Sequence, residues 1–125
     1  MEDLVSIITP TYNCGRFIAE TIESVLKQTY SNWEMIIVDD CSTDNTNEIV
    51  NIYAKKDRRI KYHLLSVNSG AAVARTKAME LASGKYIAFL DSDDLWLEDK
   101  LNRQLSFMNK NNYAFTCTAY QKIDE

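Results

Sequence analysis

Three carboxylates stand within four residues at Asp91-Ser92-Asp93-Asp94, directly after the apolar run Tyr86-Ile87-Ala88-Phe89-Leu90 and before Leu95-Trp96-Leu97. Ionised carboxylates packed this closely repel one another, so a proton, a cation or a set of helix amides has to offset them. Two chemistries meet that need. A hard cation such as Mg²⁺ or Mn²⁺ binds through one or two carboxylates and is completed by substrate phosphates. Alternatively, Asp93 or Asp94 caps the next helix by accepting its first N–H groups. By itself this stretch does not separate the two.

Two other segments end in a similar way. The run Trp33-Glu34-Met35-Ile36-Ile37-Val38 meets Asp39-Asp40, and Leu4-Val5-Ser6-Ile7-Ile8-Thr9 meets Pro10-Thr11-Tyr12-Asn13. Short apolar runs bounded by polar residues read as buried strands. Pro10 is expected to break the first of them, since proline cannot continue a central ladder. Residues 60–65 read as a third strand, 86–90 as a fourth and 113–120 as a fifth.

The segments between the strands have helical spacing. Phe17, Ile18, Ile22, Val25 and Leu26 predict a helix from about residue 15 to 28. Ile49, Val50, Ile52 and Tyr53 predict a second, with Asn45 and Glu48 at capping-box spacing. Residues 71–82 form a third, with Gly84 as its C′ residue. Leu97, Leu101, Leu105 and Met108 predict a fourth, over about residues 97–111. Strands alternating with helices imply right-handed βαβ units and a mainly parallel sheet, a Rossmann-like α/β/α sandwich. Ligands of such sheets sit outside the carboxyl ends of the strands, near a switch in strand order. Residues 10–13, Asp39-Asp40 and 91–94 all fall at those ends, which favours the cation over the cap.

Composition narrows the function class. The chain has 125 residues, enough for one domain, and its 46% hydrophobic and 26% charged residues are those of a soluble globular protein. Three glycines and one proline argue against a loop-built or all-β fold. A net charge of −4 gives no support for a nucleic-acid partner. Lys55-Lys56 and Arg58-Arg59 read as a solvated helix end. Cys14, Cys41 and Cys117 share no CxxC spacing, which points to reduced thiols and a cytoplasmic setting. His63 is the single histidine and lies in a strand-like run, where it reads as a strand side chain rather than a catalytic base. No signal peptide and no run long enough to span a bilayer is visible, and peripheral membrane association stays open.

A nucleotide at this edge needs its phosphates neutralised. Neither G-x-G-x-x-G nor G-x-x-x-x-G-K-[ST] is present, so a glycine loop cannot cradle them. A divalent cation bridging a diphosphate to Asp91 and Asp93 is the alternative, acting as a Lewis acid on the leaving group. Arg75 is placed to add a charge-assisted contact, or is a surface helix residue. Asp39 or Asp40 is suited to accept from a base N–H or a ribose hydroxyl. Tyr12 is suited to stack on a base, or packs at a strand exit.

Residues 5–13, 37–44, Ala74-Arg75 and 83–94, in that order and spacing, resemble the family 2 glycosyltransferases of the GT-A fold over essentially all of the chain. The resemblance implies a nucleotide-diphosphate sugar donor, usually a uridine diphosphate sugar, and transfer to a saccharide or other acceptor with inversion at the anomeric carbon. It implies that Pro10, Tyr12 and Asp40 hold the nucleoside, with Thr11 and Asn13 beside it and Asp39 in support. Arg75 would lie near the base or diphosphate, and Gly70 where a glycine approaches the donor. Asp91-Ser92-Asp93 would be the DxD motif, with Asp91 and Asp93 on Mn²⁺ or Mg²⁺ and Asp93 the direct ligand. Polysaccharide assembly at the inner face of a bacterial membrane is the implied setting.

Two positions depart from the pattern: Cys41 stands where a glycine usually follows the aspartate pair, and Thr76 where an asparagine often follows the arginine. A third departure is length: the family's catalytic domain continues well past this point, so residues 1–125 are expected to be the donor-binding part of a truncated catalytic domain. The acceptor half and the general base would lie beyond it, so no catalytic residue is named and the fragment alone is expected to be inactive. Strand five or helix four is expected to leave an apolar face that favours a homo-oligomer. A non-catalytic nucleotide-binding module and a receiver-type signalling domain are the alternatives. The receiver suffers from the full strand-helix unit that precedes Asp39-Asp40.

Overall fold

Every residue from Trp33 to Asp39 is buried, as a strand covered on both faces requires. In the computed structural model, which describes residues 3–111, this strand lies inside a strict alternation of elements. The order is β1 (Val5–Thr11), α1 (Ile18–Leu26), β2 (Trp33–Asp39), α2 (Thr46–Lys56), β3 (Ile60–Leu64), α3 (Ala71–Leu81), β4 (Tyr86–Phe89) and α4 (Lys100–Asn111). The strands form one parallel sheet in the order β3-β2-β1-β4. The chain thus winds outward from β1 to β3 and then crosses back to the other side of β1, which makes the β1/β4 boundary the topological switch point. A receiver-type sheet of order 2-1-3 is excluded. The fifth strand expected at residues 113–120 lies outside the described residues.

The alternation of side chains divides the core between two faces. Val5 and Ile7 of β1 join Trp33, Met35 and Ile37 of β2 on one face, under Ile18, Ile22 and Val25 of α1, Val50 of α2, and Leu101 and Leu105 of α4. Ile8, Ile36 and Val38 lie on the other, against Ala74 and Ala78 of α3. Two alanines four residues apart let α3 approach the sheet closely. Among the described residues that helix covers β1 and β2, and Ile87 and Phe89 of β4 remain exposed. Among the described residues, exposed apolar side chains therefore lie on β4 and, at Phe107, on α4, while the expected strand five falls outside them.

A polar cluster closes the amino end. Glu34 is buried, accepts from Ser6 Oγ at 2.5 Å and from the Ser83 amide at 2.8 Å, and pairs with Lys61 Nζ at 2.7 Å. Burial alone would push its carboxyl up, but the bonds from Lys61, Ser6 and Ser83 outweigh that and hold it near a pKa of about 2. Gly84 donates to Ser6 Oγ at 2.8 Å, and a Cβ there would come within 2.8 Å of the Leu4 carbonyl oxygen. Its role is this close approach to β1 and not the helix C′ position, because α3 ends at Leu81 with Ala82 as its cap.

Several sequence expectations need correction. β1 continues through Pro10, which lies opposite Val38. The carbonyl of Ile8 accepts from Leu90 on the β4 side, so the nitrogen of Pro10, two residues on, points the same way, past the end of β4 where no ladder bond is lost. Asn45 makes no side-chain cap. Asp44 does that work, accepting from the Thr46 amide at 3.0 Å and the Thr46 hydroxyl at 2.5 Å. Arg59 is not simply solvated: its guanidinium lies 3.9 Å from the Trp33 ring centroid and pairs with Asp57 at 2.7 Å.

Candidate functional site

α4 begins at Lys100, six positions after Asp94. Neither Asp93 nor Asp94 is therefore a helix cap. Residues 92–93 instead form a turn closed by the Asp94 amide donating to the Asp91 carbonyl at 3.0 Å. The side chains of Asp91 and Asp93 are exposed, and neither accepts a hydrogen bond or ion pair among the described residues. Ser92 between them is buried and donates to Cys14 Sγ at 2.9 Å.

The exits of β1, β2 and β3 are bound to one another beside this turn. The Asp40 amide donates to the Thr11 carbonyl at 2.8 Å. Asn13 has φ +49°, a left-handed conformation that asparagine tolerates. Its Oδ1 accepts from the Thr43 amide at 2.8 Å, and its own amide donates to Ser42 Oγ at 2.8 Å. The Cys14 amide reaches Thr46 Oγ1 at 3.1 Å. These bonds fix the β1 exit to the β2–α2 loop.

The adjacent aspartates at the end of β2, Asp39 its last residue and Asp40 the next, face opposite sides of the sheet and do different work. Asp39 is wholly buried, accepting from Ser42 Oγ and Tyr62 Oη, each at 2.5 Å. Burial and then this bond to Asp39 push the Tyr62 phenol well above its ordinary range. Asp40 accepts from the amides of Ser69 at 2.6 Å and Gly70 at 2.8 Å, which pins the β3–α3 turn to β2. Gly70 has φ +99°, and a Cβ there would meet nothing within 4 Å, so the edge is open at that point.

Of the remaining predicted residues, Pro10 is half-buried, Tyr12 is 47% exposed, and Arg75 is exposed on α3. Thr11 is buried and its hydroxyl has no partner. Residues 10–13, 39–40, 70, 75 and 91–93 thus share the carboxyl edge of the sheet. Sequence reasoning did not pick out Tyr62, Ser42, Asp44 or Thr21; their polar groups sit in apolar or loop surroundings, and only their distant partners reveal them. Asp44 had the one visible signal, standing two residues ahead of Thr46 at the start of a helix.

A divalent cation would find two oxygen ligands here. Among the described residues no cluster of three or more His, Cys, Asp or Glu could hold a metal. Two unpaired carboxylates fit an ion of the Mg²⁺ or Mn²⁺ type, whose other ligands come from a substrate and water.

A parallel α/β sheet with unpaired carboxylates at its switch point belongs to the nucleotide-binding class of folds. Residues 6–125 match the model of glycosyl transferase family 2, and the chain belongs to that family. It is 57% identical over 117 residues to TuaG of Bacillus subtilis, named for teichuronic acid biosynthesis without that role being established, covering 94% of this chain and 46% of the relative. It is 49% identical over 125 residues to the Escherichia coli UDP-Glc:alpha-D-GlcNAc-diphosphoundecaprenol beta-1,3-glucosyltransferase WfgD, covering 99% of this chain and 49% of that one. The chain therefore spans about half the length of these curated relatives.

Among solved structures, S. aureus TarS in complex with UDP-GlcNAc superposes with a TM-score of 0.81 at 36% identity, over 86% of this chain and 32% of TarS. The mannosyltransferase PcManGT from Pyrobaculum calidifontis, in complex with GDP-Man and Mn²⁺, gives 0.77 at 28% identity, over 86% of this chain and 33% of that one. The four-stranded parallel sheet is that of the amino-terminal part of the GT-A fold. No helix among the described residues is long and apolar enough to cross a membrane.

Proposed function

We propose that this chain forms the donor site of a glycosyltransferase that moves a hexosyl group from a nucleotide-diphosphate sugar, with UDP as the nucleotide, to a glycan acceptor with inversion. The observation that carries the reading is the pair of exposed, unpaired carboxylates of Asp91 and Asp93 in a turn that caps no helix, at the β1/β4 switch point. Membership of family 2 and the UDP-sugar ligand of TarS support it.

Asp91 and Asp93 hold Mn²⁺ or Mg²⁺ together with the donor diphosphate, with Asp93 the direct ligand. Bound there, the cation supplies positive charge against the diphosphate leaving group. Arg75, exposed on α3, adds a second positive charge on that side. Pro10, Tyr12 and Asp40 hold the nucleoside, Tyr12 by stacking and Asp40 through lone pairs not taken by the Ser69 and Gly70 amides. Thr11 and Asn13 stand beside it, Asp39 supports the site through Ser42 and Tyr62, and Gly70 leaves room for the donor. No general base is assigned within residues 3–111. The acceptor is presented at the inner face of the bacterial membrane to a cytoplasmic protein; WfgD is named for a diphosphoundecaprenol-linked acceptor.

Titration calorimetry with UDP in Mn²⁺ and in EDTA tests the reading. UDP binding is expected with Mn²⁺ and its loss in EDTA, and Asp93→Asn should weaken the Mn²⁺-dependent part by about tenfold or more. Equal affinity in Mn²⁺ and EDTA would remove the cation from the site. Donor binding by the full-length protein with no transfer to any acceptor would support a non-catalytic module instead.

A further inference from the structure

Residues 92–99 contain no regular element, yet their backbone is held, and the groups that hold it come from α1 and the residues just after it. Thr21, Ser24 and Gln28 share one face of that helix line, at i, i+3 and i+7. Thr21 is wholly buried, and its Oγ1 lies 2.8 Å from the Ser92 carbonyl oxygen and 2.9 Å from that of Asp94. It also lies 3.2 Å from the Phe17 carbonyl oxygen, so a single hydroxyl proton is shared among three acceptors. Ser24 Oγ accepts from the Trp96 amide at 3.2 Å. Gln28 Nε2 donates to the Leu97 carbonyl at 2.7 Å while its Oε1 accepts from the Leu101 amide at 3.1 Å, in the first turn of α4. The Thr29 amide adds a bond to the Glu98 carbonyl at 2.8 Å.

We propose that Thr21, assisted by Ser24 and Gln28, is a positioning residue that sets where the carboxylates of Asp91 and Asp93 stand. The contacts of Thr21 fall on the Ser92 carbonyl, in the peptide unit directly before Asp93, and on the Asp94 carbonyl one unit further on, so its hydroxyl brackets the backbone that carries the Asp93 side chain. Burial makes the grip on Ser92 specific: its carbonyl, deprived of this donor inside the protein, has no solvent to replace it. Nothing in Thr21 reaches the exits of β2 and β3, so its loss should affect the diphosphate end of a ligand and spare the nucleoside end. The ligand part of this inference rests on the donor-site reading above.

The test compares Thr21→Val, which keeps the shape and removes the hydroxyl, with Thr21→Ser, which restores it, and with Ser24→Ala as a milder variant. UDP with Mn²⁺ and uridine alone are titrated into each. Backbone hydrogen exchange is followed at residues 94–97 without ligand. Thr21→Val is expected to weaken UDP·Mn²⁺ about tenfold, as loss of one buried hydrogen bond would. Uridine should bind within about twofold of the parent protein, and Thr21→Ser should recover most of the UDP affinity. Exchange at residues 94–97 should quicken in Thr21→Val and Ser24→Ala and return in Thr21→Ser. If UDP·Mn²⁺ binds the parent and Thr21→Val alike, or if uridine weakens as much as UDP, the positioning role is wrong. If the parent shows no Mn²⁺-dependent UDP binding, the donor-site reading fails. The exchange data then decide the grip by itself, and unchanged protection in Thr21→Val and Ser24→Ala would overturn it.

Discussion

Asp40 and Gly70 are joined across two loops: the Gly70 amide donates to Asp40 Oδ2 at 2.8 Å, from a backbone at φ +99° and ψ 158°. The second oxygen of the same carboxylate takes the neighbouring Ser69 amide at 2.6 Å. One aspartate therefore decides the position of the β3–α3 turn, and that turn faces the candidate donor site.

Asp40→Asn places an amide group against one of those N–H donors. The expected loss is about 1.5–3 kcal/mol of stability, the scale of a hydrogen bond to a charged group. Gly70→Ala meets no atom but forces a side chain into a region that is essentially glycine-only, at about 1–3 kcal/mol. Urea denaturation of both variants checks the values. A fully stable Gly70→Ala protein would show that the turn relaxes.

Two glycines should respond differently to a methyl group. At Gly84 the added Cβ meets Ser6 Oγ at 2.6 Å and the backbone of Leu4 and Ser6 at 2.8 Å, so the sheet itself must move. A loss of about 1–3 kcal/mol is expected. At Gly15 the closest atom, Asn45 Oδ1 at 2.0 Å, ends an exposed side chain that can swing away. Thermal melts should place Gly84→Ala well below Gly15→Ala.

Cys41 stands at φ +66°, in the left-handed region. Its thiol has one weak contact, to the Ser66 carbonyl at 3.9 Å. A non-glycine residue there costs about 1–2 kcal/mol, and part of that should be regained in Cys41→Gly, offset by the greater freedom of glycine in the unfolded chain. The expected net effect is a gain of up to about 1 kcal/mol, measured by urea denaturation under reducing conditions.

Acid should act first through Glu34, whose folded pKa of about 2 lies below its ordinary 4.5. The unfolded chain therefore binds this proton more readily. The stabilisation is complete above about pH 4.5 and is lost as the pH falls towards 2. Its upper bound is about 3 kcal/mol, at 1.36 kcal/mol per pKa unit, reduced by solvent around the half-exposed Lys61. Asp57 and Asp44 are shifted the same way, Asp57 chiefly by its bond from Arg59, and Asp44 against its own burial by the bonds from Thr46 and Gly15. Glu34→Gln should lower stability at neutral pH and flatten the pH 2–4.5 limb of a stability profile; an unchanged limb would assign acid sensitivity elsewhere.

The order of elements, the parallel sheet and the edge that gathers residues 10–13, 39–40 and 91–93 were legible in the sequence. Burial on both faces turns central strands into continuous apolar runs, and the chemistry of a strand exit shows as the residues that end the run. Pro10 misled because a missing N–H matters only where a neighbouring strand would receive it, and β4 stops short. At 91–94 the shared edge favoured open carboxylates over a cap, but the cap itself was removed only by where α4 begins. Which aspartate of the β2 pair is locked under Tyr62 and which clamps the Ser69-Gly70 turn also needed the fold, as did the grip of Thr21 on Ser92 and Asp94. Local patterning specifies elements through short-range sterics and periodic burial. Partners 20–80 positions apart meet only when the sheet order is set, and that order is a property of the whole packed core.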